Sequence, residues 1–236
     1  MGLSKAQIIT LFLLPFVWTA CAATKSSDGL SMTPTIYYKP TIQNNKASCS
    51  SNSLRDLLSP EGYTLVTLCE ADYKECLLQG SCVVEENETR TSYNYHSTKD
   101  GVARFIKVDM SKCPYGYGVR SSCLDPYFSA AADLKFHSPG DVIFIPRLVG
   151  AVMPTGEVHD GFIVIRDSGG GVTGENRFDF FTGFLDHKQK ANTMARLGFG
   201  DPKNHIEYRK ATEGEAVLAR ERRNYPGLKK SLMLED

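Results

Sequence analysis

Two aspartates, Asp167 and Asp179, bracket a glycine-rich stretch in "RDSGGGVTGENRFDFFTG", which runs from Arg166 to Gly183. Carboxylates in such a pair suit proton transfer, because each shifts the proton affinity of the other. The glycines raise a rival reading, since Gly169 to Gly174 fits the G-x-G-x-x-G pattern of dinucleotide-binding loops. A phosphate cradle needs a strand ahead of the glycines and a helix opening after them. "GFIVIRD" is a credible strand, but "ENRFDFFTGF" is aromatic and β-prone and offers no helical apolar face. The loop is therefore expected to be a tight strand-to-strand connection whose glycines take positive φ.

Asp179 stands between Phe178 and Phe180 in a predicted strand, so its side chain points opposite to both. Burial without a partner would be costly, and a cleft position is the economical reading. An acid that must hold its proton near neutral pH needs a raised pKa, and Asp167 with Phe178, Phe180 and Phe181 supplies the like charge and the apolar surroundings. The phenylalanines themselves read as core rather than as a ligand-stacking platform. Asp160 in "HDG", Asp133 in "AAD", and Gly169 and Gly170 are carried as substrate-contacting candidates, although Asp167 and Asp160 also fit turn roles and Asp133 a capping one.

The elements that must position these groups are short β runs separated by turn residues: "GVARFIKV", "DVIFIP", "GFIVIRD", "RFDFF" and "HIEYR". That spacing predicts a small β-barrel over residues 101–210, followed by a charged helix in "TEGEAVLARER" within 211–236. Upstream, residues 61–100 form a cysteine-containing accessory region, with a strand in "YTLVTLC" and a helix in "EADYKECLLQ" that sets Tyr73, Cys76 and Leu77 on one face. Residues 22–60, rich in Ser, Thr, Asn, Lys and Pro, read as a tether.

Lysine plus arginine equals aspartate plus glutamate at 27 each, which supplies no basic field for nucleic acid. The first 21 residues carry Lys5 and the apolar run "IITLFLLPFV", of signal-peptide length. "TAC" after it fits lipidation of Cys21, while Ala20-Cys21-Ala22 also fits ordinary cleavage. Either way the chain is exported, and Cys49, Cys69, Cys76, Cys82, Cys113 and Cys123 remain as an even set that reads as disulfides. Short loops favour Cys76 with Cys82 and Cys113 with Cys123, leaving Cys49 for Cys69. No C-x-x-C occurs and the histidines lack ligand spacing, so no metal and no other cofactor is expected.

The segments "AAADLKFHSPGDVIFIP", "RDSGGGVTG" and "NRFDFFTG", in that order, resemble the 3D domain, named for three aspartates that match Asp133, Asp167 and Asp179. The resemblance covers about Gly101 to Tyr208 and implies the double-psi β-barrel of MltA-type lytic murein transglycosylases. The fold class it gives is mainly β: a six-stranded double-psi barrel with a small disulfide-rich N-terminal region and a C-terminal helix. It further implies cleavage of the β-1,4 bond between N-acetylmuramic acid and N-acetylglucosamine with 1,6-anhydro product, Asp179 serving as acid and then base. Peptidoglycan is then the partner; the leader, a lipid on Cys21 and Ala22 after it give the periplasmic face of the outer membrane as the expected location. Those enzymes grip the glycan between the barrel and a larger second β domain, for which residues 22–100 leave little room. The upstream region is then either a reduced wall, or the barrel is a non-catalytic peptidoglycan-binding module.

Overall fold

The computed structural model describes residues 29–230; the leader and Cys21 lie outside the described residues. In chain order the elements are β1 (Leu30–Tyr37), β2 (Thr41–Gln43), β3 (Leu54–Leu58), β4 (Thr64–Cys69), α1 (Glu70–Gln79), β5 (Ser81–Glu86), β6 (Thr89–Lys99) and β7 (Val102–Val108). There follow β8 (Ser129–Ala132), β9 (Val142–Phe144), β10 (Phe162–Asp167), β11 (Arg177–Phe181), the single turn α2 (Thr193–Arg196), β12 (Ile206–Lys210) and α3 (Glu213–Arg222).

Six of these strands close a barrel in the order β1-β11-β8-β10-β9-β12, with β12 pairing back to β1. Two pairs inside it, β1 with β11 and β8 with β10, are parallel. Alternation fills the interior: Met32, Ala130, Ala132, Ile163, Ile165, Phe178 and Phe180 point inward and are buried. On the outer face of the same strands Tyr37, Ala131 and Phe181 form a second, smaller cluster with Leu124 and Val172 of the flanking loops. Helix α3 lies outside the barrel as expected, packing Ala216 and Ala219 on Val142 and Val164. Its start is fixed by a capping box between Thr212 and Glu215.

The first barrel strand is where the sequence reading fails. Residues 30–37 lie inside the expected tether, yet "LSMTPTIY" is a barrel strand. Met32, Pro34 and Ile36 alternate with Thr33, Thr35 and Tyr37, and the polar residues belong to the face outside the core. Conversely "GVARFIKV", expected in the barrel, is β7 of a separate six-stranded sheet ordered β2-β5-β6-β7-β3-β4. That sheet spans Thr41 to Val108, so it takes in the rest of the tether as well as the accessory region. Its core gathers Leu57, Leu68, Cys76, Cys82, Tyr93 and Phe105, with Tyr73 packed against it. Leu77, expected on that buried face, is instead 42% exposed.

The disulfides pair Cys49 with Cys69, Cys76 with Cys82 and Cys113 with Cys123. The first two tie the ends of α1 and its neighbouring strands within the sheet region. The third closes the loop that runs from the sheet to the barrel, where Gly118 is obligatory for steric reasons: a Cβ there would stand 2.1 Å from the Arg166 carbonyl oxygen.

Candidate active site

The two aspartates come together through strand register. Asp179 on β11 and Asp167 on β10 are both level with Ala131 of the intervening β8. On β10 the register shifts between Ile165 and Asp167, a bulge that brings Asp167 level with Ala131. Arg166 within it turns away and is fully buried, donating to the carbonyls of Cys123 and Gly227 at 2.9 and 2.7 Å and lying 3.7 Å from Asp125. Behind it Arg223 holds Asp125 through two 2.7 Å bonds. The small Ala131 side chain between the aspartates leaves the space above it open.

That space is a cleft of about 590 Å³. One side is the outer face of the barrel, with Tyr37, Ala131, Asp167, Ser168, Gly169 and Asp179. The other is the sheet region, supplied by residues 77–81 and by Asn94, Tyr95 and His96 of β6. The sheet region is thus a wall facing the carboxylates. It is held to the barrel by Tyr38, whose hydroxyl donates to Glu75 Oε1 at 2.8 Å, and by Asn94, whose amide donates to the Tyr117 carbonyl at 2.6 Å.

Each aspartate receives a hydroxyl from the misread strand β1. Thr35 Oγ1 donates to Asp179 Oδ1 at 2.6 Å, and Tyr37 donates its phenolic hydrogen to Asp167 Oδ2 at 2.9 Å. Asp167 Oδ1 also accepts the Ser168 backbone N–H at 2.9 Å, so both its oxygens are engaged. Asp179 Oδ2 makes no hydrogen bond among the described residues, which leaves it free to carry a proton toward the cleft.

Burial pushes Asp167 up to about 7; the Ser168 and Tyr37 hydrogen bonds oppose this, and the neighbouring Asp179 charge adds to it. Burial also raises Asp179, against the Thr35 hydrogen bond and the Arg177 charge. The pair therefore retains a proton toward neutral pH, as general acid chemistry requires.

The remaining candidates are placed elsewhere. Asp133 Oδ1 accepts from Lys135 N at 3.0 Å and Oδ2 from Gly174 N at 2.8 Å, ties that hold its carboxyl below the usual range. It pins one loop to another and does not line the cleft. Asp160 caps Phe162 N at 3.1 Å and pairs with Arg222 at 2.6 Å, also away from the cleft. Gly169 and Gly170 do line it, but neither has the positive φ expected of them; within the loop only Gly174, at +103°, does. The loop joins β10 to β11 without a helix, so no phosphate cradle forms. Phe178 and Phe180 are core, whereas Phe181 lies on the outer face with Tyr37, ring centroids 5.1 Å apart. Sequence reasoning missed Thr35, Tyr37, Ala131 and Tyr95. The alternation in "TPTIYY" was the available signal for the first two.

Comparison with solved structures places the fold. A crystal structure of E. coli MltA with bound chitohexaose superposes with a TM-score of 0.50 at 15% identity, covering 77% of this chain and 72% of that one. The fold is that of the MltA lytic transglycosylases. A membrane-bound lytic murein transglycosylase from Agrobacterium tumefaciens aligns at 11% identity over 81% of this chain and 77% of its own, with a TM-score of 0.48. No protein-family model matches the chain and no curated protein matches it in sequence. Among the described residues no cluster of three or more His, Cys, Asp or Glu is placed to hold a metal ion, and no helix is long and apolar enough to cross a membrane.

Proposed function

We propose that the chain is a lytic murein transglycosylase that cleaves the β-1,4 bond between N-acetylmuramic acid and N-acetylglucosamine in peptidoglycan. The observation that carries this reading is the pair of raised-pKa carboxylates, level with one alanine, at the base of a two-walled cleft. Asp179 is the acid: its free Oδ2 donates a proton to the glycosidic oxygen as the C1–O bond breaks. The sugar's own 6-hydroxyl attacks C1, and its proton returns to Asp179, closing a 1,6-anhydro ring without consuming water. One proton-transfer group then suffices where hydrolysis ordinarily employs two carboxyl groups. Asp167, engaged at both oxygens, tunes that proton's affinity. Thr35 fixes the orientation of Asp179 by holding the opposite oxygen.

The reduced sheet wall suits a shorter grip on the glycan and supports the catalytic reading over that of a binding module, because it faces the carboxylates across a defined cleft. The apolar leader and Cys21 support a periplasmic lipoprotein, outer-membrane anchored. Incubating the Ala22–Asp236 chain with purified sacculi tests the reading. Release of 1,6-anhydro muropeptides supports it; binding without release supports the binding module.

A further inference from the structure

The disulfide between Cys76 and Cys82 closes a loop of five residues, Leu77 to Ser81, and all five line the cleft. Helix α1 buries only Cys76, and at its end Leu77 and Leu78 are left 42% and 77% exposed. On the same wall Tyr95 is 43% exposed yet fixed from two sides: its ring stands edge-on to Phe105 at 6.1 Å and its hydroxyl meets Thr98 Oγ1 at 2.9 Å. The strand register shifts just after it, between Tyr95 and Ser97, so that the bulged His96 also lines the cleft. The loop itself is anchored at its turn, where the Gly80 carbonyl accepts Tyr95 N at 2.7 Å and Gln79 Oε1 accepts Tyr38 N at 3.2 Å.

These are the marks of a rigid contact surface rather than of an unfinished core. Exposed apolar groups are ordinary when scattered, but here a leucine and an aromatic ring are held on one wall opposite two carboxylates. The described residues lining the cleft include no lysine or arginine, so nothing among them compensates an anionic ligand. Amide, hydroxyl and imidazole groups surround the apolar ones. A neutral ring with one apolar face and a rim of hydroxyls fits that chemistry. We propose that the disulfide-closed loop is a sugar-binding lip on which Leu78 and Tyr95 take the apolar face of one N-acetylhexosamine ring. The proposal rests on the glycan reading above and assigns it a subsite on the loop that this disulfide closes.

The test is calorimetric titration of chitohexaose into the full chain carrying Asp179→Asn, compared with the same chain also bearing Leu78→Ser, Tyr95→Ala or Tyr95→Phe. Removing either apolar contact is expected to weaken binding about tenfold, while Tyr95→Phe, which keeps the ring, is expected to cost less than Tyr95→Ala. Leu78 is exposed enough that Leu78→Ser should leave the melting temperature unchanged, separating lost contact from lost fold. The double variant Cys76→Ser/Cys82→Ser, which frees the loop, is expected to weaken binding at least as much as Leu78→Ser. Parent affinity in both Leu78→Ser and Tyr95→Ala overturns the lip and leaves the glycan reading standing. Absence of chitohexaose binding by the Asp179→Asn chain and by wild type overturns both.

Discussion

Replacing Asp167 by Asn should make the protein more stable, and only above a defined pH. Burial raises the Asp167 pKa from 3.8 to about 7, so the native state holds this proton more tightly than the unfolded chain. The resulting stabilisation is fully present below about pH 4 and is lost as the pH climbs through 7. At 1.36 kcal/mol per pKa unit, the folded form gives up roughly 4 kcal/mol across that window. For a chain of this size that corresponds to roughly 10 °C in melting temperature. The replacement amide would still accept the Ser168 N–H or the Tyr37 hydroxyl, and it never ionises. Thermal unfolding followed by circular dichroism should show matching melting temperatures at pH 4 and a higher one for Asp167→Asn at pH 8. Curves that stay parallel from pH 4 to pH 8 would refute the claim that this carboxyl is held protonated by burial.

Three further substitutions probe other parts of the arrangement. Tyr37→Phe removes a hydrogen bond that favours ionised Asp167, so the fall in melting temperature caused by ionising this carboxyl should move to higher pH in thermal unfolding. Gly118→Ala sets a Cβ against the Arg166 carbonyl at 2.1 Å; it should destabilise by roughly 1–3 kcal/mol and lower turnover by displacing Asp167, as read by denaturant unfolding and muropeptide release. Lys39 is fully buried with Ser92 Oγ as its hydrogen-bond partner, and burial, then the Arg90 charge, depress it to about 7. Lys39→Met should therefore stabilise the fold at pH 7 and below by on the order of 5 kcal/mol, the advantage fading in denaturant titrations as the pH rises toward about 10.

The barrel half of the fold was legible because its strands "DVIFIP", "GFIVIRD" and "RFDFF" are apolar and set off by turn residues. Asp179 was legible from its neighbours, since alternation alone places it on the face opposite Phe178 and Phe180. Strand β1 was not. Its inward residues, Met32, Pro34 and Ile36, are diluted by Ser and Thr, and its partners β11 and β12 lie far along the chain, so no local signal marks it. The donors Thr35 and Tyr37 were hidden with it. The assignment of β7 failed for a related reason: a half-buried strand reads the same whether it closes a barrel or pairs within a hairpin with β6. Asp133 and Asp160 share the residue type of the site but not its place, because each is already satisfied by backbone N–H groups near a turn.

The most direct test of the central claim sets wild type beside Asp179→Asn on purified sacculi, with 1,6-anhydro muropeptides quantified by mass spectrometry. The substitution keeps the shape of the side chain and removes the proton donor. Wild type should release anhydro products, and the variant should release them about 10²–10⁴-fold more slowly while still binding sacculi. Undiminished release by Asp179→Asn would contradict the account, as would a wild type that binds sacculi and releases no anhydro product.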